Sequence, residues 1–306
     1  MYHYVRELRR SRYPSLKGLD LARFREQLRW AVRHHEVVRM EQVLAALAGV
    51  EPLPKNALLL TFDDGYSDHY AYAFPILDEM GLEGSFYPVA SAVERRTVLA
   101  ANKVQLVLAA CDDATRVTRR LLAWLAEHRS RFRLEDDAFY LERHAHPTRF
   151  DPPEVVFVKR MLQRALPAAA RAELLDTLFT AFVGVSEATI AEELYASFDQ
   201  LRTMHRHGMH IGAHGVEHHW MTTLGDAQRT AEIEESRALL RSIGVDTGAW
   251  TMAYPYGDVD DALCRLAAER GCAAAFTIEP ERADMNTVDA LRIPRLDTND
   301  LPPPPR

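Results

Sequence analysis

Short apolar runs alternate along this chain with longer segments whose apolar residues recur at helical spacing. Residues 58–62 form one such run, a helical pattern follows at 70–80 and ends at Gly81, and residues 84–89 form a second run. Apolar runs of about four to eight residues predict buried strands, and the amphipathic segments between them predict covering helices. The alternation favours a parallel α/β barrel, in which functional residues gather at the carboxyl ends of the strands.

The same alternation is present towards both ends of the chain. Further strands are predicted at 1–6, at 37–38, from 209, from 250, at 273–278 and at 291–296. Further helices are predicted at 19–33, 40–48, 197–207, 224–243 and 260–270. The helix at 224–243 mixes acidic and basic residues and is predicted to be a solvated outer helix. The proline run at 302–305 predicts a disordered tail.

The segment from about residue 90 to about residue 195 interrupts this alternation. It is rich in Ala, Leu, Arg and Glu, and its best helical patterns lie at 102–110, 115–127, 154–166 and 168–183. Such a segment is much longer than the crossover of a βα unit, which needs about 30 residues. We therefore predict a single domain over residues 1–306 with a helical insertion at about 90–195. Packing and homo-oligomerisation, or a lid that selects the substrate, are its alternative roles.

The central apolar run ends in adjacent carboxylates. Residues 58–66 have the sequence LLLTFDDGY, in which Asp63 and Asp64 follow the apolar residues and Gly65 allows a sharp turn. Neighbouring side chains on a strand point opposite ways, so the aspartates can have different roles only where the strand ends and the chain bends. A strand cap with a turn-forming Asp-Asp-Gly is the structural alternative.

A second apolar stretch ends in histidines. Residues 209–220 have the sequence MHIGAHGVEHHW, which places His214 and His218 four residues apart. If the chain turns into a helix here, these residues share one face, as two imidazoles on one metal ion require. Histidine pairs also occur as hydrogen-bonded polar residues. Together with the Asp-Asp-Gly turn, however, they suggest an Asp-His-His ligand set with open positions, which is typical of a catalytic site on Zn²⁺ or a similar divalent ion.

The motifs TFDDG at 61–65 and HGVEH at 214–218 resemble the first two motifs of the polysaccharide deacetylases, the NodB-homology family or carbohydrate esterase family four. The resemblance implies a distorted (β/α) barrel of about seven or eight strands. It also implies a metal site that removes N- or O-acetyl groups from sugars, with Asp63 as catalytic base. Asp64, His214 and His218 are then the metal ligands. The resemblance covers residues 56–90 and 197–298, and the first strand belongs with them.

Other residues are also assigned to the site. Tyr2-His3 resembles a Tyr-His pair that family members often carry on their first strand, so His3 is predicted to reach the mouth of the site. A core-facing histidine bonded to a backbone carbonyl is the alternative. Aromatic side chains and a proline near the motifs are predicted to bind the sugar, although core packing is the alternative for each: Tyr66, Trp220, Tyr254, Pro255 and Tyr256.

The sequence departs from the family pattern at two places. The third motif usually has an arginine before its Pro-aromatic-Gly turn, whereas residues 252–257 are MAYPYG, as in a branch that resembles the exopolysaccharide poly-glucosamine deacetylases. Arg295 is predicted to replace it, since a cation near Asp63 lowers the pKa of that carboxyl. Surface ion pairs of Arg292 and Arg295 are the alternative. No histidine follows His219, so the general acid is open between His3 and protonated Asp63.

Composition excludes some classes of function. The 306 residues have a net charge of −7, which argues against a nucleic-acid partner. The three cysteines lack Cys-x-x-Cys spacing and predict buried thiols in a reducing compartment. No apolar run approaches the roughly 18 residues of a membrane span. No signal peptide is visible, so a cytoplasmic location is expected.

These observations predict a metal-dependent hydrolase that removes N-acetyl groups from an amino sugar or glycan. Its cofactor is a divalent metal ion, with Zn²⁺ favoured, and its partner is an acetylated carbohydrate. Ester and amide cleavage use the same groups, so an O-acetyl esterase or a deformylase is an alternative. The third alternative is a non-catalytic carbohydrate-binding relative, against which the intact Asp-Asp and His-His motifs argue.

Overall fold

A computed structural model describes residues 1–111, 113–148 and 151–301 of the chain, and the proline run at 302–305 lies outside these. The chain divides into two compact units. The first contains Met1–Glu7, Gly18–Thr97 and the described residues from Ala191 onward. The second contains Leu8–Lys17 and Val98–Ile190.

The strands of the described chain lie in the first unit and pair in parallel. They are β1 Val5–Arg6, β2 Leu19–Asp20, β3 Glu36–Val38, β4 Ala57–Leu59, β5 Thr61–Asp64, β6 Ser85–Pro88, β7 His210–Ile211, β8 Trp250–Ala253 and β9 Cys272–Phe276. Strands β5, β6 and β7 form one sheet, in which Asp63 lies opposite Tyr87. The pairs β1–β2, β3–β4 and β8–β9 form the others. The predicted α/β class with parallel strands is confirmed.

Isolated bridges connect these sheets. Tyr2 bridges β5, Ala213 bridges β8, and Ile293 bridges β9. The pairing therefore continues from Tyr2 through β5, β6 and β7 to β8, β9 and Ile293. These bridges do not close the described strands into a ring, so the predicted barrel stays a prediction.

The predicted strand at 291–296 is wrong as a regular strand. Only Ile293 joins β9: its N–H donates to the carbonyl of Ala275, and its carbonyl accepts from the N–H of Thr277, both at 2.9 Å. The next residue is Pro294, which has no N–H to donate and cannot extend the ladder. The segment that carries Arg295 is therefore irregular.

The helices of the described residues occur in both units. They are α1 Leu21–His34, α2 Met40–Leu47, α3 Phe74–Glu79, α4 Ala90–Glu94, α5 Ala100–Ala109, α6 Ala114–Phe132, α7 Asp137–His144, α8 Pro153–Arg160, α9 Ala168–Val183, α10 Glu187–Leu194, α11 Phe198–Arg206, α12 Asp226–Ile243 and α13 Asp261–Glu269. Turns of π-helix at His69–Ala73 and Met161–Ala165 adjoin α3 and α8.

The described residues of the second unit form helices joined by loops, without strands, and contain α5 to α9 and the start of α10. Val104 and Val107 of α5, Leu121 of α6 and Leu174 and Leu178 of α9 are fully buried in it. No single helix of the described chain is long and apolar enough to cross a membrane. Two consecutive helices, Ala168–Val183 and Glu187–Leu194, reach the length and apolar composition of a membrane span only when they are counted together, and they are bent by 81° relative to each other. The predicted insertion boundaries stay a prediction.

The core of the first unit surrounds β5. Phe62 is fully buried and stacks on Phe86 of β6, with ring centroids 4.6 Å apart, and on Tyr2, with centroids 5.0 Å apart. This packing fixes the strand whose carboxyl end carries Asp63 and Asp64. The strand is thus held on both sides by aromatic contacts before it reaches its charged residues.

Close packing also constrains Gly212, which follows β7. A Cβ atom there would lie 2.4 Å from a ring carbon of Tyr87 and 2.6 Å from Oγ1 of Thr251. We expect Gly212→Ala to lower the free energy of unfolding, measured by urea denaturation, by about 1–3 kcal/mol, because buried neighbours must move. Gly225→Ala is the control, since the nearest atom to its Cβ would be 4.0 Å away. An equal loss in both variants would contradict this account.

Candidate active site

The turn after β5 separates the aspartates. Asp64 and Gly65 both have positive φ, 73° and 69°. A Cβ at Gly65 would lie 2.7 Å from the Cβ of Pro88, so this position requires glycine. Asp63 and Asp64 are only 2% and 6% exposed, and each needs its own compensation for a buried charge.

Arg295 compensates the buried negative charge of Asp63. Its Nη1 donates to Oδ1 of Asp63 at 2.8 Å and its Nη2 to Oδ2 at 2.7 Å, a bidentate pair. The guanidinium is itself fixed, since Nε donates to the carbonyl of Thr277 at 2.9 Å and Nη1 to Oγ1 of Thr61 at 3.2 Å. The predicted proximity of Arg295 to Asp63 is present, and its catalytic role stays a prediction.

This pairing sets the charge of Asp63. Burial alone would raise the pKa of the Asp63 carboxyl, because an apolar surrounding disfavours its charge. The charge and hydrogen bonds of Arg295, together with the charges of His214 and His3, outweigh burial, so the pKa of Asp63 lies well below its usual range. Asp63 is therefore ionised at neutral pH.

Asp64 faces the histidines. Its Oδ1 lies 3.3 Å from Nε2 of His214 and 3.4 Å from Nε2 of His218. Its Oδ2 accepts a hydrogen bond of 2.6 Å from the hydroxyl of Tyr66. Burial raises the pKa of Asp64, but the hydrogen bond with His214 and the charges of His218, His3 and His214 together outweigh burial, so this pKa is lowered. The pKa of Tyr66 is raised well above its usual value by burial and by the charge of Asp64.

The histidines are oriented in different ways. Nδ1 of His214 lies 2.6 Å from the carbonyl oxygen of Ala253, which can only accept, so Nδ1 donates and Nε2 is directed at Asp64. His218 has a positive φ of 54°, and its ring lies edge-on to Tyr256, with centroids 4.5 Å apart. Burial lowers the pKa of His218 to about 4. Burial also lowers the pKa of His214, but the hydrogen bond with Asp64, the charges of both aspartates and the hydrogen bond with Ala253 together outweigh it, so that pKa is raised.

These three residues fit a divalent metal ion. One ligand atom from each of Asp64, His214 and His218 lies within 4.8 Å of the others. A carboxylate oxygen and two imidazole nitrogens form a common donor set for Zn²⁺ and similar ions. The hydrogen bond from His214 to Ala253 is the kind that fixes the ring of a metal-binding histidine. Asp63 is not a member of this group, and its two oxygens accept from Arg295 instead.

Glu232 holds the loop between the histidines. Its Oε2 accepts from the N–H of Val216 at 2.6 Å and from the N–H of Glu217 at 3.3 Å. The prediction that the helix at 224–243 is merely solvated is wrong at Glu232, which is only 6% exposed. The sequence contained a signal, since Glu232 shares its face of α12 with the buried Ser236 and Leu239 at helical spacing.

His3 lies near the carboxylates. Its charge is among the causes that lower the pKa of Asp63 and of Asp64. Its carbonyl oxygen is 2.8 Å from Nε2 of the buried His69, which therefore donates to it. The His3 side chain is half-buried.

The aromatic residues assigned to the sugar divide into two groups. Trp220 and Tyr256 are half-buried, and their rings stack with centroids 4.3 Å apart and an interplanar angle of 4°. The predicted sugar contacts of Tyr66, Tyr254 and Pro255 need correction, because these residues are buried under protein atoms. Only the first pair keeps partly exposed surface for a ligand.

Comparisons with known proteins identify a related family. The sequence model of a family described as "Polysaccharide deacetylase" matches residues 50–108 and 159–275, more than half of the chain. Over 71 residues the chain is 39% identical to the poly-β-1,6-N-acetyl-D-glucosamine N-deacetylase of Escherichia coli strain K12. That stretch is 23% of this chain and 11% of the relative, so the match spans a small part of the relative's length.

Two solved structures are similar over nearly the whole chain. The Streptococcus pyogenes deacetylase PplD, in complex with acetate, has a TM-score of 0.57 and 16% identity and covers 97% of this chain and 89% of its own. IcaB from Ammonifex degensii has a TM-score of 0.55 and 18% identity, and the match covers 96% of this chain and 89% of the IcaB chain. At these identities the likeness concerns the fold alone.

The ion pair of Asp63 and Arg295 should matter for stability. We expect Arg295→Ala to lower the free energy of unfolding by about 3–5 kcal/mol, because it leaves a buried carboxylate unpaired. Chemical denaturation measures this. The control is Arg292→Ala, since Arg292 pairs with the exposed Asp261 and such surface pairs contribute little. Similar losses in the two variants would contradict the special status of Arg295.

Proposed function

We propose that this chain, which belongs to the polysaccharide deacetylase family, is a metal-dependent hydrolase that removes N-acetyl groups from an amino sugar or glycan. One observation carries the proposal above all others. Two adjacent buried carboxylates have separate partners: Asp63 binds Arg295, and Asp64 lies against His214 and His218. A reaction that needs a base and a metal ligand side by side requires such a division.

Asp64, His214 and His218 are the proposed metal ligands. When bound, a divalent ion would polarise the acetyl carbonyl and acidify the attacking water. The protein's part is to supply oriented donors. The hydrogen bond of His214 to Ala253 and the contact of Glu232 with the loop between the histidines support this assignment.

Asp63 is the proposed base, which accepts a proton from the attacking water. Arg295 occupies one acceptor position on each carboxylate oxygen, and each oxygen has two lone pairs, so acceptor capacity remains. Arg295 keeps Asp63 ionised and limits its rotation.

His3 is the proposed acid for the leaving amine. Its influence on the pKa of both carboxylates supports a place beside them. Its partial exposure gives solvent a route to restore the proton. Protonated Asp63 is the other candidate, since it holds the proton taken from water. Trp220 and Tyr256 are the remaining proposed sugar contacts.

The proposed substrate is a polymer or oligomer of N-acetylglucosamine. The 71-residue match to a poly-β-1,6-N-acetyl-D-glucosamine N-deacetylase supports the β-1,6 linkage as the first to test. The closed (β/α) barrel, the helical insertion at about 90–195, its part in homo-oligomerisation and the cytoplasmic location also remain proposals. The order of strand pairing from Tyr2 to Ile293 supports the barrel.

We expect purified protein to contain about one divalent ion per chain and to release acetate from β-1,6-linked N-acetylglucosamine oligomers. Removing the ion with a chelator should abolish release, and adding Zn²⁺ or Co²⁺ should restore it, because the carbonyl and water need the cation. Free acetate and new primary amines measure the reaction. β-1,4-linked oligomers and acetyl esters are run in parallel.

The outcomes separate the alternatives. Release from acetyl esters alone would favour the esterase. Binding of the oligomers without any release, by fully metal-loaded protein, would favour the non-catalytic relative. Acetate release that persists after complete metal removal would contradict the metal-dependent proposal.

The adjacent aspartates should differ in mutagenesis. We expect Asp63→Asn to retain the metal and to lower kcat by roughly 10²–10⁴-fold, because only the base is lost. Asp64→Asn should instead weaken metal binding, since a ligand oxygen loses its charge. Metal content by mass spectrometry and turnover are measured on both variants, each serving as the control for the other. The reverse pattern would mean that the roles are exchanged.

A further inference from the structure

We propose that Tyr66 is a positioning residue for Asp64. The Tyr66 hydroxyl holds one carboxylate oxygen of Asp64, so that the other oxygen is presented to the cation. The inference rests on the metal site proposed above. It gives Tyr66 a role different from sugar binding, for which its ring has no exposed surface.

The hydrogen bond of Tyr66 divides the carboxylate of Asp64 into two ends. The hydroxyl donates to Oδ2 at 2.6 Å, whereas Oδ1 is the oxygen 3.3 Å from His214 and 3.4 Å from His218. A carboxylate can bind a cation through one oxygen or through both. A donor on Oδ2 favours the first mode and leaves room for the substrate and water at the remaining positions.

Asp64 has a particular need for such support. Its backbone has a φ of 73°, a conformation that a non-glycine residue adopts only at a cost. Asp64 is the last residue of β5 and is followed by Gly65, also at positive φ, so its side chain projects from the point where the strand ends and the chain turns. Partners beyond the metal are what usually orient a ligand in such a site.

The ring of Tyr66 is itself held rigidly. It stacks on Tyr4, with centroids 3.9 Å apart at 18°, and lies nearly parallel to Tyr195 at 6.2 Å. Arg6 packs over the Tyr4 ring at 5.1 Å and pairs with Asp68 at 2.7 Å.

The test is the metal affinity of Tyr66→Phe, which removes the hydroxyl and keeps the stacked ring. Apo protein is titrated with Zn²⁺ against a competing chelator. We expect the dissociation constant to rise by roughly 10–100-fold, the effect typical of losing a partner of a metal ligand. The visible spectrum of Co²⁺-loaded protein should also change, since Asp64 is then free to bind through both oxygens. A loss of general packing would not produce that spectral change.

Tyr2→Phe is the matched control. Tyr2 is as deeply buried as Tyr66, and its hydroxyl has no hydrogen-bond partner among the described residues. The control should keep the Zn²⁺ affinity and the Co²⁺ spectrum of the wild type. If Tyr66→Phe and Tyr2→Phe have the same affinity and spectrum, the inference is wrong.

A measurement on the wild type keeps the question decidable if Tyr66→Phe does not fold. In crystals of Zn²⁺-loaded wild type, Asp64 should bind the ion through Oδ1 alone while the Tyr66 hydroxyl stays on Oδ2, and an Asp64 that binds through both oxygens would overturn the inference. Failure of the proposed function gives a different result. A wild-type protein that binds no Zn²⁺ at all would refute the metal site itself, whereas a wild type that binds and a Tyr66→Phe that binds equally refutes only the role of Tyr66.

Discussion

Two carboxylates side by side at the end of a buried strand set the constraint on which the rest of this site depends. Unit charges about 4 Å apart interact by roughly 4 kcal/mol under the effective dielectric of a protein surface, and burial adds the loss of hydration. Asp63 and Asp64 therefore cannot share one environment. The turn with positive φ at Asp64 and Gly65 sends them to different partners.

That division explains why distant segments meet here. Arg295 lies 232 residues after Asp63 in the sequence, yet it forms a bidentate pair with it. The ladder of β5, β6 and β7 and the bridge from Ala213 to β8 bring His214 to the same end of the strands. Ala253 and Glu232 then fix the ring of His214 and the loop that leads to His218. The two histidines are thus positioned by the backbone carbonyl of Ala253 and by the buried carboxylate of Glu232.

The motifs predicted the parts of the site that follow from local sequence. A run of apolar residues before Asp63 predicts the strand, and paired histidines after a second strand predict a place for a cation. Choosing Arg295 over Arg292 required only that functional residues gather at the carboxyl ends of parallel strands. The regular strand predicted around Arg295 was wrong, because Pro294 interrupts the ladder.

Long-range contacts explain what the sequence did not predict. A fully buried tyrosine and a sugar-binding tyrosine look alike in a motif, so the bond from Tyr66 to Asp64 was missed. Glu232 lies on a helix with many charges, and only the position of the loop reveals that its carboxylate accepts from Val216. The boundaries of the helical unit depend on which residues pack together, and these include Leu8–Lys17 from far earlier in the chain.

Anomalous X-ray diffraction at the zinc absorption edge, from crystals of Zn²⁺-loaded protein, tests the division between the carboxylates most directly. One peak is expected about 2.0–2.2 Å from a single oxygen of Asp64 and from Nε2 of His214 and His218. Asp63 should lie outside bonding distance of the ion and should still pair with Arg295. An ion ligated by Asp63, or an Arg295 displaced from Asp63, would show that the two carboxylates do not have separate roles.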